Sequence, residues 1–167
     1  MGYFGVATPG SFTALPRRAW RYHGDFVVSP LPTQVHLGDL TPQGLPFFNG
    51  TVRLTKTLTL GAAEVAGRCF RYAEQMAHIV ALKVNGQRVR EWYWRPYEAD
   101  LEGLLQAGEN TLELELTSGL RNLLGPHHLQ EGESYAVGPA SFFKEPNLWG
   151  HLPWNDDYCF VEFGVRL

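Results

Sequence analysis

Ten consecutive residues, TVRLTKTLTL at 51–60, alternate in polarity with a period of two. Val52, Leu54, Leu58 and Leu60 fall on one side and Thr51, Arg53, Thr55, Thr57 and Thr59 on the other, with Lys56 the exception in the apolar set. Successive side chains of a strand point to opposite faces, so the pattern is that of a strand with one face in a core and one in water. A helix would need apolar residues every three or four positions. TLELEL repeats the alternation, with Leu112, Leu114 and Leu116 against Glu113 and Glu115. YCFVEFGV places Cys159, Val161, Phe163 and Val165 on one expected face, and GDFVVSP reads as a further strand ended by Pro30. HIVALKVNGQRVR is the sharpest hairpin signal, because Asn85-Gly86 accepts the positive φ angles of a two-residue type I′ turn.

Helix signals are sparse. DLEGLLQAG is expected to form one short turn, with Asp100 as N-cap and Gly108 as the stop. CFRYAEQMAHIVAL has β-branched and aromatic ends and runs into the Asn-Gly turn, so strand, bend, strand is expected rather than helix. Turn-rich connections such as SPLPTQVHLGDLTPQGLP and KEPNLWGHLPWNDD separate the strands. About eight strands with polar turns between them give an all-β jelly-roll β-sandwich with minimal helix. The expectation is a single sandwich domain over 1–167, in which 1–24 form an extended N-terminal arm.

Composition narrows the function classes. With 44% hydrophobic and 13% aromatic residues in 167, the chain has the material for a packed core. A net charge of −3 with no basic block argues against nucleic acid or an anionic membrane as partner. Apolar runs are too short to cross a bilayer, and no signal peptide is visible at the start. Cys69 and Cys159 are the only cysteines and lie far apart, so both are expected to be buried free thiols, a usage that leans to the cytoplasm.

Several pieces recur in order. VNGQRV, then WRPYEADLEGLL, then AGENTLELELT, then LRN resembles the non-catalytic sugar-binding domain of glycoside hydrolase family 2 enzymes, and the wider galactose-binding-like β-sandwiches. Upstream, LPFFNGTVRLTKTLTL is similar to a strand of the same domains, so the likeness runs from about residue 45 to 124. The resemblance implies a non-catalytic accessory domain that packs beside the catalytic domain of a parent polypeptide and contacts carbohydrate. It also implies no cofactor, with a structural Ca²⁺ as the one ion such domains sometimes carry. The residues themselves have structural reasons: Asn85-Gly86 for the turn, Tyr97 as a core anchor after Pro96, and Asn110 closing a turn onto the next strand. Arg121 and Asn122 are expected to pin the following loop through backbone hydrogen bonds.

Binding of sugar calls for an aromatic platform with amide, carboxylate or guanidinium partners for the hydroxyls. Two turn-rich stretches offer these. EWYWRPY carries Trp92, Tyr93, Trp94 and Arg95; NLWGHLPWNDDY carries Trp149, His151, Trp154, Asn155, Asp156 and Asp157 and is the stronger candidate, being a loop dense in both kinds of group. Asp156 and Asp157 are the candidate calcium ligands. A competing reading makes the chain a stand-alone enzyme on a jelly roll that uses His127, His128 and Glu133, with or without metal. Neighbours on a strand face opposite ways, so His127 and His128 could share a site only on an irregular loop; the expectation is a structured loop at the domain's rim, turned by Gly125-Pro126, with ligand contact by His127 or His128 as the lesser alternative. A glycosidase would need paired carboxylates from among Glu131, Glu133, Asp156 and Asp157, set about 5 Å or about 6.5–9.5 Å apart.

Overall fold

In a computed structural model the structure describes residues 4–167. The fold is nearly all-β, of the β-sandwich class: fourteen strands are present among the described residues, in antiparallel sheets, with one four-residue α-helix and three 3₁₀ turns. The number exceeds the expected eight because many are two- or three-residue pieces, interrupted by turns that local polarity does not reveal. The chain divides into two compact units, one comprising residues up to Asn49 with Gly119–Phe163, the other Gly50–Ser118 with Gly164–Leu167.

The first unit contains β1 (Gly5–Ala7), β2 (Ser11–Leu15), β3 (Ala19–His23), β4 (Val27–Ser29) and β5 (Gly38–Asp39). It also holds the helix α1 (Arg121–Leu124) and, near its end, β13 (Tyr158–Val161). Strand β3 lies between β2 and β13, with Tyr22 opposite both Phe12 and Tyr158. Residues 1–24, expected as an extended arm, therefore carry three strands over the described part. Their hairpin escapes a sequence reading because its turn holds Arg17 and Arg18 at φ 62° and 56°, where glycine or asparagine would be the usual signal. Gly10 is required for a different reason: a Cβ there would stand 1.9 Å from the carbonyl oxygen of His23.

Aromatic packing makes the core of this unit. Phe26 meets Tyr22, Phe47 and Tyr158 at ring-centroid distances of 5.0 Å, and Phe47 meets Phe160 at 5.0 Å. Cys159 is buried among them as expected, and burial pushes its thiol pKa up. The expected one-sided face of 158–165 is not observed: Cys159, Phe160 and Phe163 are all buried and the strand stops at Val161. Asp39 ties the approach to this core, its Oδ1 accepting the N–H groups of Thr41 at 2.9 Å and Phe163 at 3.0 Å.

The second unit is built on a four-stranded antiparallel sheet in the order β10 (Gln87–Trp92), β9 (Ile79–Val84), β12 (Gly108–Thr117), β6 (Thr51–Leu60). Pairing of β6 with β12 runs unbroken from Thr51 opposite Thr117 to Leu60 opposite Gly108, which realises the two longest alternating stretches as neighbours. Their inward leucines, with Val80, Leu82, Val84 and Trp92, form the buried face. The smaller strands are β7 (Cys69–Arg71), β8 (Glu74–Gln75), β11 (Glu98–Asp100) and β14 (Gly164–Arg166). Strand β7 pairs with β11, and Phe70 and Tyr72 reach the ring of Trp92 at 6.0 and 5.3 Å. Tyr97 stacks on Tyr72 at 4.7 Å. Cys69 departs from expectation: it is exposed, because on this short strand the neighbouring Phe70 turns towards Trp92 instead.

The Asn85-Gly86 turn forms with φ 51° and 79°. Asn85 also donates through Nδ2 to Asn110 Oδ1 at 3.0 Å and to the carbonyl of Leu104, and its Oδ1 accepts the N–H of Thr111. Asn110 is buried and meets Gln106 through both its oxygen and its amide nitrogen. Asp100 caps the expected turn by accepting the N–H of Glu102, but no helix follows and Gly108 instead opens β12. Asn85 and Asn110 thus brace the two turns against each other.

Candidate functional site

The loop after α1 and the loop before β13 lie against each other in the first unit. Leu129 bridges to Trp154, the N–H of Asn155 donates to the carbonyl of His128 at 2.9 Å, and that of Gln130 donates to the carbonyl of Pro153. His127 and His128 are consecutive on this loop, and both rings meet Tyr158. His127 enters the aromatic core, 5.4 Å from Tyr158 and 5.7 Å from Phe47 and Phe160, with Nδ1 3.4 Å from the carbonyl of Cys159. Burial lowers its pKa. His128 packs against the Tyr158 ring at 4.7 Å and stacks on Trp154 with ring centroids 4.6 Å apart. The loop at 125–128 is irregular and brings both imidazoles to Tyr158, where each is engaged in aromatic packing.

Three of the four candidate carboxylates, Glu133, Asp156 and Asp157, have a basic side chain as partner. Glu133 accepts from Arg121 Nε at 2.6 Å, in a pair that is mostly buried. Asp157 lies 2.8 Å from His23 Nδ1. Asp156 accepts from Lys144 Nζ at 2.8 and 3.1 Å and from the Trp154 indole N–H at 2.9 Å, and these two donors lower its pKa. Glu131 and Glu133 border a small depression of about 80 Å³ beside Arg17 and Pro153, far below the few hundred Å³ a small-molecule pocket occupies. Among the described residues no three His, Cys, Asp or Glu side chains converge in a way that could hold a metal ion. The proposed set of His127, His128 and Glu133 is dispersed over the core, the Trp154 ring and Arg121. The expected loop anchor is half altered: Asn122 does bond backbone, meeting both the N–H and the carbonyl of Val161, whereas Arg121 bonds the Glu133 carboxylate.

The aromatic candidates separate by exposure. Trp92 belongs to the core. Trp154 is half-buried and engaged with His128 and Asp156. Trp149 is 68% exposed on a tight turn in which Asn147 and Gly150 pair, beside exposed His151. Asn155 turns its side-chain oxygen to the N–H of Asp157 and so shapes the loop. In the second unit Trp94 is 76% exposed and lies 5.8 Å from Tyr93, while Arg95 lies over the Tyr97 ring and bonds the carbonyl of Ala73. The Glu91 carboxylate beside the Tyr93 hydroxyl pushes its pKa up.

An all-β sandwich-class fold with exposed aromatic rings, and with Glu133, Asp156 and Asp157 held by basic side chains, is thus what the chain presents. No known protein family and no curated protein matches the sequence. Among solved structures it is similar to a β-D-glucuronidase from Dictyoglomus thermophilum, with 19% identity and a TM-score of 0.39 over 83% of this chain and 23% of that one. It is also similar to a rhamnosidase from Novosphingobium sp. PP1Y, with 17% identity and a TM-score of 0.40 over 95% of this chain and 15% of that one. The chain spans less than a quarter of the length of either protein, and likeness this distant carries no argument about activity.

Proposed function

We propose that the chain is a non-catalytic β-sandwich domain of a carbohydrate-active enzyme, working beside the catalytic domain of a parent polypeptide and contacting carbohydrate itself. The observation that carries this reading is a division of labour among side chains. The candidate acids Glu133 and Asp156 are held by Arg121 and Lys144 and Asp157 by His23, while Trp94 and Trp149 stand in solvent. General acid–base chemistry on a glycoside needs a carboxylic acid and a carboxylate facing one bond. Stacking on the apolar face of a sugar needs only an accessible ring. The ordered sequence likeness over about 45–124 supports the same reading.

The chain should bind a subset of neutral glycans on an array and show no turnover of chromogenic glycosides. Binding should weaken on replacing Trp94 by alanine. Hydrolysis by this chain alone, or an array blank for every glycan, would overturn the proposal.

A further inference from the structure

The outer face of the four-stranded sheet is not the uniformly raised surface that alternating polar residues normally make. Thr51 on β6, Thr117 on β12 and Ile79 and Ala81 on β9 are shorter than the charged side chains around them, and they floor a depression of about 390 Å³. Its walls are longer charged side chains: Arg53 from one edge strand, and Arg88 and Glu91 from the other. Glu115 sits between them. It accepts from Lys83 at 2.7 Å, Arg53 at 2.9 Å and Arg88 at 3.1 Å, and so fixes both guanidinium groups in place.

A β-bulge supplies the second wall. Counted from the Asn85-Gly86 turn by strict alternation, Arg88 and Glu91 would face opposite ways. The register slips between Arg88 and Arg90, so that Arg88 lies opposite Lys83 and Glu91 opposite Ala81. Both then project from the outer face, and Arg88 Nη1 reaches Glu91 at 3.0 Å, while Trp92 is delivered into the core. Bulges are a recurrent means of re-aiming side chains at sites. Beyond Glu91 the same strand leads to the exposed rings of Tyr93 and Trp94.

We propose that this depression is the carbohydrate-binding site of the domain and that it takes a neutral glycan through vicinal hydroxyl groups. This rests on the accessory-domain reading above and assigns it a place. A diol offers adjacent donors and acceptors, and a guanidinium beside a carboxylate offers the complementary pair; Arg88 with Glu91 is such a pair, and Thr51 and Thr117 add hydroxyls. Two arginines and two glutamates line the depression, so its charge cancels and an anionic sugar gains nothing over a neutral one. Ile79 and Ala81 give the floor an apolar patch for ring C–H groups, and Tyr93 extends it as a platform at the rim.

The test is amide and methyl chemical-shift mapping by NMR with methyl glycosides of glucose, galactose, mannose and xylose, and with methyl glucuronide as the anionic arm. Shifts centred on Ala81, Thr117 and Tyr93 with at least one neutral glycoside are expected. Arg88→Gln with Glu91→Gln should weaken that binding at least tenfold. Thr51→Tyr, a strand-compatible change that fills the depression without touching an ion pair, should do the same with unchanged thermal unfolding. Trp149→Ala and Trp154→Ala should leave it unchanged. Shifts confined to the Trp149–Trp154 loop would overturn this site while leaving the accessory-domain reading intact. Silence with every glycoside would remove both, and preference for the glucuronide would overturn the neutral assignment.

Discussion

His128 lies flat against Trp154, ring centroids 4.6 Å apart and planes 21° from parallel, and the same indole donates its N–H to Asp156. One tryptophan thus fastens a histidine from the loop after α1 to a carboxylate that also holds Lys144. The contact closes the rim of the first unit, and it explains why a stretch rich in sugar-binding residue types presents so few unengaged groups.

Replacing Trp154 by alanine removes that stack and a charge-assisted hydrogen bond together. The stacked aromatic pair alone contributes about 0.5–1.5 kcal/mol, so a loss of about 1 kcal/mol is expected. Chemical denaturation reads this as a lower midpoint. Trp149→Ala, on an exposed ring, should leave the midpoint within about 0.5 kcal/mol of wild type.

Asn122 is a more severe position although it touches no aromatic group. Its Nδ2 donates to the carbonyl of Val161 at 2.7 Å and its Oδ1 accepts the N–H of the same residue at 2.8 Å, closing a ring between α1 and β13. Alanine leaves the Val161 N–H without its side-chain acceptor, at about 1–3 kcal/mol, and leaves the carbonyl to the Thr41 hydroxyl at 3.2 Å. Aspartate keeps the acceptor and loses the donor. Unfolding midpoints should therefore fall in the order wild type, Asn122→Asp, Asn122→Ala at pH 7 if backbone satisfaction dominates, and reverse between the two variants if burying a charge dominates.

What the sequence reveals of this architecture is what local rules control. Asn85-Gly86, the alternation at 51–60 and 111–116, and Asn110 behind its turn depend on neighbours within one hairpin or one strand, and each forms where polarity and turn chemistry place it. The β2–β3 hairpin depends on two arginines in left-handed conformation, for which no residue-type signal exists. Cys69 is exposed because its partner Phe70 faces Trp92 from a distant strand. The bulge that puts Arg88 and Glu91 on one face is invisible for a related reason: register is settled by burying Trp92, a tertiary effect. The adjacency of His127 and His128 suggested chemistry, yet their surroundings come from residues near 47, 154 and 158.

His127 makes stability depend on pH. Burial among Phe47, Tyr158 and Phe160 lowers its pKa from 6.5, with Arg121 and His128 adding repulsion and the carbonyl of Cys159 opposing them. The folded chain then holds this imidazole neutral while the unfolded chain takes up a proton, so unfolding binds protons. Its contribution is complete above about 6.5 and declines as pH falls below that value. The thermal midpoint should drop between pH 7.5 and 5.5, and His127→Phe, which keeps a ring in the cluster, should flatten that part of the profile. A parallel decline in the variant would assign the effect to another group.

Glu115 gives the opposite end of the pH scale its own signature. Three cations surround it, and two of them, Lys83 first and Arg53 next, lower its pKa from 4.5. A carboxyl whose folded pKa is depressed stabilises the fold above its unfolded value and ceases to do so as pH falls through the folded one. Both arginines are more than half exposed, so solvent screening holds the benefit to about 1 kcal/mol. Glu115→Gln keeps the shape and removes the charge. It should lower the thermal midpoint at pH 7, with the gap to wild type closing as pH drops below 4 and narrowing in high salt. Because the carboxylate also orients Arg53 and Arg88, the same variant should weaken glycan binding on the sheet face at pH 7. A variant matching wild type in both measurements would mean that the three cations hold their positions without it.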